Sequence, residues 1–293
     1  MFELLGVPPQ ALFGQLLLGL INGAFYALLS LGLAVIFGML NVINFTHGAQ
    51  YMMGAFVAWM LLQYLGIPYW GALLLVPLIV GVTGIVLERL FLSRLYHLDH
   101  LYGLLLTFGL ALVIEGLFRK YYGSSGLPYT NPIPGGTHLG FMFLPWYRAW
   151  VVVISIVVCL ATWFMIEKTK LGSYLRAATE NPTLVRAFGI NVPRMMTLTY
   201  GFGVALAGLA GVLAAPIYSV NPVMGANLII VVFAVVVIGG MGSIMGAIVT
   251  GFGLGIIEGL TKVFYPEASA TVIFIIMAIV LMIRPAGLFG TPR

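Results

Sequence analysis

Two stretches decide the fold: Leu73-Leu-Leu-Val-Pro-Leu-Ile-Val-Gly-Val-Thr-Gly-Ile-Val-Leu87 and Leu228-Ile-Ile-Val-Val-Phe-Ala-Val-Val-Val-Ile238. Inside lipid only helices and closed barrels satisfy their backbone polar groups. A barrel strand alternates apolar and polar residues over about ten positions, and these runs are almost continuously apolar. They read as helices. Extending the reading with windows of about 20 apolar residues places spans near 11–38, 48–65, 69–88, 101–118, 149–166, 195–215, 227–240, 246–264 and 270–283. The 227–240 and 246–264 windows are short and separated by Gly239-Gly-Met-Gly-Ser243, so a re-entrant or broken segment is open there. The expectation is an all-α integral membrane protein, a polytopic helical bundle of about 8–10 transmembrane helices forming a single domain over 1–293.

Composition agrees. Of 293 residues, 61% are hydrophobic and 7% charged, against roughly 25% charged in a soluble domain. A soluble enzyme, a nucleic-acid binder and a disordered tail are excluded, and the surroundings are a lipid bilayer. Cys159 is the single cysteine and lies in an apolar run, so no intrachain disulfide forms and no thiolate pair exists for a metal or redox site. Only Glu3 is charged ahead of the first apolar run. A signal peptide starts with a positive region, so the first span is expected to stay in the mature protein.

Basic residues set the orientation. The 89–100 loop holds Arg89 and Arg94, and the tail holds Arg284 and Arg293. The 167–194 loop holds Lys168, Lys170, Arg176, Arg186 and Arg194 against Glu167 and Glu180, five basic and two acidic, a net of +3. With nine spans these fall on one side, which the positive-inside rule makes cytoplasmic. The expectation is N-terminus outside and C-terminus cytoplasmic. Arg119, Lys120 and Arg148 in the 119–148 loop run against the rule.

Glycines at four-residue spacing, Gly242/Gly246 and Gly251/Gly255/Gly259, with Gly19/Gly23 and Ala207/Gly211, read as helix-packing positions where backbones approach closely. Glu115 with Arg119 and Glu258 with Lys262 are spaced to pair along their own helices, and no ladder of carboxylates makes them a proton relay. Asn41-Val-Ile-Asn44-Phe-Thr46-His47-Gly48 joins two apolar spans with almost no charge. Two readings stay open: a capping turn, or a break lining a pathway with Asn41, Asn44, Thr46 and His47. His97 and His100 flank Asp99 and read as solvated loop residues, since a metal needs more ligands than this neighbourhood offers.

No catalytic arrangement occurs. The chain has no G-x-x-x-x-G-K-[ST] and so cannot hydrolyse ATP with a P-loop. Gly251-Phe-Gly253-Leu-Gly255 is not a dinucleotide fingerprint, and G-x-S-x-G and H-E-x-x-H are missing.

The loop from Glu167 to Arg194 is too long for a simple connection. Leu175–Glu180 reads as a short helix that stops before Asn181-Pro182, because the residue before proline resists the α region. Thr183–Phe188 reads as a second, with Asn181 as N-cap, Pro182 in the first turn and Gly189 as the stop. Two amphipathic helices suit either a docking element or a segment lying on lipid.

Leu171-Gly-Ser-Tyr-Leu-Arg-Ala-Ala-Thr-Glu-Asn-Pro-Thr-Leu-Val-Arg-Ala-Phe-Gly-Ile-Asn191 resembles the cytoplasmic coupling segment of permease subunits of branched-chain amino-acid ABC importers. The resemblance covers nearly the whole chain. Its other marks are Ser30–Gly48, Val237–Gly246 and the closing Arg284-Pro-Ala-Gly-Leu-Phe-Gly290; Thr46-His47 departs from the Ala-His of many relatives. The resemblance implies the ABC importer permease fold. It also implies half of a translocation pathway, completed by a second homologous permease in a bacterial inner membrane. Two cytoplasmic ATPase subunits would bind ATP and Mg, this chain carrying no cofactor, and an extracytoplasmic binding protein would deliver the substrate. Arg176, Ala177, Glu180, Asn181, Pro182, Arg186 and Gly189 are the implied ATPase-coupling residues. Permeases for urea and short amides look similar, and an ion-coupled secondary transporter is the alternative from another class.

Overall fold

The computed structural model describes residues 8–40, 42–96 and 98–290. Glu3, Asn41, His97 and Arg293, named above, lie outside the described residues. α1 (Pro9–Leu40) has 32 residues and no charged side chain; apolar on every face, it belongs inside a bundle. In α1, 83% of the apolar window is buried, and in α8 (Val192–Ala214) 72%. These two helices form the centre.

Around them stand α2 (Thr46–Leu65), α3 (Tyr69–Leu90), α4 (His100–Tyr122), α5 (Trp146–Lys168), α9 (Met224–Gly239), α10 (Ile244–Phe264) and α11 (Val272–Ile283). α4 is the least buried of the long helices, with 11% of its window buried. The short α6 (Lys170–Glu180) and α7 (Pro182–Ala187) project between α5 and α8.

Six helices (α1, α3, α4, α5, α8 and α10) are long and apolar enough to cross a membrane, fewer than the nine windows. α2 has the length, 20 residues, but carries Thr46, His47, Gln50 and Gln63 among its apolar residues. α9 and α11 have 16 and 12 residues, about 24 Å and 18 Å at 1.5 Å per residue, short of a roughly 30 Å hydrocarbon core.

Small residues let the central helices touch. A Cβ on Gly255 would lie 2.4 Å from the carbonyl oxygen of Gly19 and the same distance from Gly23 Cα, so α1 and α10 meet backbone to backbone. The two glycine series seen separately in the sequence therefore interlock. A Cβ on Gly54 would lie 2.3 Å from Gly208 O, which joins α2 to α8 in the same way.

Two features were not expected. The 119–148 region carries a hairpin, β1 (Gly136–His138) antiparallel to β2 (Phe143–Pro145), with Thr137 opposite Leu144. Leu127 exchanges backbone hydrogen bonds with Val220 at 2.8 and 3.0 Å, tying this loop to the α8–α9 connection. At the opposite end, the closing Arg284–Gly290 motif folds back on α9. The Leu288 and Phe289 amides donate to the carbonyls of Ile238 and Gly239 at 2.8 and 3.1 Å, satisfying acceptors that a helix end leaves open. Gly240 and Gly287, at φ 103° and 81°, allow that approach.

Candidate functional site

The 167–194 segment forms two short helices, of which α7 is capped by a side chain and α6 is not. α6 begins five residues earlier than expected, at Lys170, because Gly172 lets the chain turn tightly under α5: a Cβ there would collide with Ile166 O. The Asn181 Oδ1 accepts from Leu184 N at 2.9 Å and caps α7, as its place before Pro182 indicated. Gly189 takes φ 81° and releases the chain, and Asn191 Oδ1 accepts from Arg194 N at 3.1 Å to start α8.

The inner faces of these helices are apolar. Ala178, Val185 and Val192 are buried together, packed by Ile190, Met195 and Met196, so α6, α7 and the first turn of α8 share one small core. The outer face carries Tyr174, Leu184 and Phe188, the last 77% exposed. Arg176 is held by Ile166 O at 3.1 Å and by Glu167 at 3.3 Å. Ala177, Glu180, Asn181, Pro182, Arg186 and Gly189 are exposed.

The 42–48 junction folds inward. His47 donates through Nε2 to the carbonyl of Leu29, 3.0 Å away, 11 residues before the end of α1 and so about 16 Å inside the bundle. The non-helical residues Val42–Phe45 therefore return into the protein, and α2 starts there. Backbone groups exposed this way need side-chain partners. Thr107 of α4 supplies them: its hydroxyl donates to Ile43 O at 3.1 Å and accepts from Phe45 N at 3.2 Å, while Thr46 Oγ1 donates to Thr107 O at 2.9 Å. Asn44 Nδ2 donates to Tyr200 OH at 3.1 Å and Gln50 Oε1 at 3.4 Å. The N-cap of α2 is Phe45 and makes no side-chain cap. Asn44, Thr46 and His47 are thus brought together, their side chains turned into the protein. An apolar crevice of about 210 Å³ opens beside them, edged by Phe45, Gly48, Phe108, Pro222 and Ile229.

The sequence reading passed over Glu88. Its side chain is 1% exposed. Oε1 accepts from Tyr96 OH at 2.6 Å, and Oε2 accepts from Thr197 Oγ1 at 2.9 Å. Burial, and then the bond to Glu88, push the Tyr96 phenol well above its usual range, so it keeps its proton and donates. One signal could have found this site: Glu88 is the sole acid in its window, with no basic residue three or four positions away to pair along the helix. It lines a cleft of about 780 Å³ between the end of α3, α6–α7 and the start of α8.

The two expected pairs are present. Arg119 meets Glu115, and Lys262 meets Glu258, each at 2.5 Å. Tyr26 OH also donates to Glu258 at 2.7 Å, linking α1 to α10. Gly242, Gly246, Gly251, Gly255 and Gly259 all face backbone of α1 or the end of α9. Asp99 caps α4 through Leu101 N at 2.9 Å, with His100 the first helical residue. Among the described residues no group of three metal-binding side chains converges.

The chain matches the family model for the permease component of branched-chain amino acid transport systems over residues 15–281. It is 29% identical to the high-affinity branched-chain amino acid transport system permease protein LivH of Escherichia coli (strain K12), over 95% of this chain and 96% of that one. It is 28% identical to the permease protein BraD of Pseudomonas aeruginosa, with the same coverage. With the probable branched-chain amino acid transport permease protein LivH of Methanocaldococcus jannaschii it shares 30% identity over 90% and 88% of the two chains. No solved structure matches. A bundle of apolar helices with a two-helix projection, matched along nearly all its length, is a multi-pass membrane permease, and the chain belongs to the family of branched-chain amino acid transport system permeases.

Proposed function

We propose that this chain forms half of the translocation pathway of an ATP-driven importer for branched-chain amino acids in a bacterial inner membrane. A second homologous permease would complete the pathway. Two cytoplasmic ATPase subunits would dock on α6–α7 and bind the ATP and Mg, and an extracytoplasmic binding protein would present the solute near the hairpin end. The observation that carries this reading is the α6–α7 projection. It exposes Tyr174, Leu184 and Phe188 outward while sharing a buried core with the first turn of α8. A push on the outer face is therefore delivered to a central helix.

α8 in turn touches α2 through Gly208 and is linked to α3 through Thr197 and Glu88. Tilting it would open or close the bundle. In this reading Asn44, Thr46 and His47 hold the buried bend beside the apolar crevice, and solute passes along the crevice edge at Phe45 and Gly48. An apolar path that binds weakly suits an aliphatic side chain, with selectivity resting mainly on the binding protein. The N-terminus lies outside and the C-terminus in the cytoplasm.

Reconstitution with the ATPases, the second permease and the binding protein tests this. Uptake of leucine, isoleucine and valine that requires ATP is the expected result. ATP-driven uptake of urea alone would change the solute, and uptake without ATPases, driven by an ion gradient, would remove the assignment.

A further inference from the structure

The cleft beside Glu88 has a chemistry that solute transport does not use. Arg89 at the end of α3, Arg186 in α7 and Arg194 in the first turn of α8 all line it. Among the described residues none of the three forms an ion pair with a carboxylate. The one acid in the lining, Glu88, has both oxygens engaged by Tyr96 and Thr197. Three positive charges against one negative leave the cleft at +2, and about 780 Å³ is room for a phosphodiester with a small polar substituent.

A second observation identifies the rest of the ligand. Leu78, Val82 and Val86 lie on the same face of α3 as Arg89, at helical spacings of four, four and three residues. They are 66%, 58% and 47% exposed. From Leu78 to Arg89 this stripe runs about 16 Å, close to one leaflet of a roughly 30 Å hydrocarbon core. An acyl chain laid along the stripe delivers its headgroup to Arg89 at the mouth of the cleft.

We propose that this cleft is a binding site for an anionic glycerophospholipid, the phosphate held by Arg89, Arg186 and Arg194 and an acyl chain lying on Leu78, Val82 and Val86. Basic pockets at the ends of membrane helices hold headgroups in this way. Arg89 and Arg194 belong to α3 and α8 of the bundle, whereas Arg186 belongs to α7, in the segment assigned above to ATPase docking. A bound phosphate therefore bridges the two and makes the position of α6–α7 depend on the lipid. The site itself requires no ATPase, so its test stands apart from the transport reading.

The test is native mass spectrometry of the full-length chain released from nanodiscs of equal phosphatidylglycerol and phosphatidylcholine. Retention of phosphatidylglycerol in clear preference is expected. Arg89→Gln should lower that preference about fivefold, the effect of one arginine near a charged headgroup. The triple variant Arg89→Gln/Arg186→Gln/Arg194→Gln should abolish it. Arg119→Gln, at the other end of α4 and outside the cleft, should leave it unchanged, and equal tryptophan-monitored melting would show that the variants are folded. Equal retention of both lipids by the native chain, or undiminished preference in the triple variant, overturns the proposal. Displacement of the lipid by millimolar inorganic phosphate would make the ligand a free anion and overturn the lipid assignment. Retention lost only when ATPase is added, with the arginine variants failing to bind ATPase, would give the cleft to that subunit instead.

Discussion

Glu88 Oε2 and Thr197 Oγ1 stand 2.9 Å apart and join the last turn of α3 to the start of α8 within the protein interior. Tyr96, from the turn after α3, takes the other carboxylate oxygen. A buried carboxylate left without donors is costly, whereas a hydrogen-bonded one fixes the elements that hold it. The pair thus pins α8 to α3 at the end where α6–α7 join it.

Thr197→Val removes one donor and keeps the shape, and should cost about 1–3 kcal/mol because the Glu88 oxygen stays buried. Glu88→Ala, which removes the carboxylate together with the unmet demand, should combine with Thr197→Val less than additively. Thermal unfolding of the two single variants and the double variant measures this; strict additivity would mean that the two side chains act separately.

Tyr96 carries a pH signature. Its phenol is raised above the value near 10 of an unfolded tyrosine, first by burial and then by Glu88. A raised folded pKa gives stability that is whole below the unfolded value and lost as pH climbs past it. The stability advantage of the native chain over Tyr96→Phe should therefore be flat to about pH 10 and shrink above it. An advantage that grows with alkalinity would contradict the Tyr96–Glu88 bond.

The two central glycines of α10 should behave oppositely. Gly255→Leu drives a side chain into the backbone of Gly19 and Gly23, and overpacking costs about 1–3 kcal/mol. A Cβ on Gly253 meets nothing within 4 Å, so Gly253→Leu should accumulate and melt like the native chain. Folding yield in detergent separates them, and similar yields would place both on the outer face.

Asn181→Ala removes the only side-chain cap of the six-residue α7, worth about 1 kcal/mol. Amide exchange over 182–188 should quicken while the rest of the bundle is unchanged. Uptake by the reconstituted importer should fall if α7 must be formed to dock. Unaltered exchange would show that α7 is held by its buried Val185 alone.

Much of this was legible in the residues. Pro182 and Asn181 announced the α6–α7 break, because proline and an N-cap act through local geometry. The interlocking of Gly19/Gly23 with Gly251/Gly255 was half legible: spacing marks a packing face, but which faces meet depends on the whole bundle. Glu88 was passed over because a lone acid at the end of an apolar window looks like a span boundary, and its partners lie 8 and 109 positions away. The hairpin at 136–145 hides in a Pro/Gly-rich loop, since three-residue strands carry no periodicity. The role of Arg284–Gly290 in finishing α9 rests on backbone amides, which no side-chain pattern reports.

The orientation of α6–α7 decides whether any ATPase can reach it. Ser125 and Ser173 are both exposed, one in the loop after α4 and the other in α6, on opposite sides in the proposed arrangement. With the buried Cys159 replaced by Ala, a cysteine at each position is treated with a membrane-impermeant maleimide. In intact cells Ser125→Cys should react, and Ser173→Cys should react only after lysis. The reverse pattern would turn α6–α7 away from the ATP-containing compartment and contradict the importer mechanism.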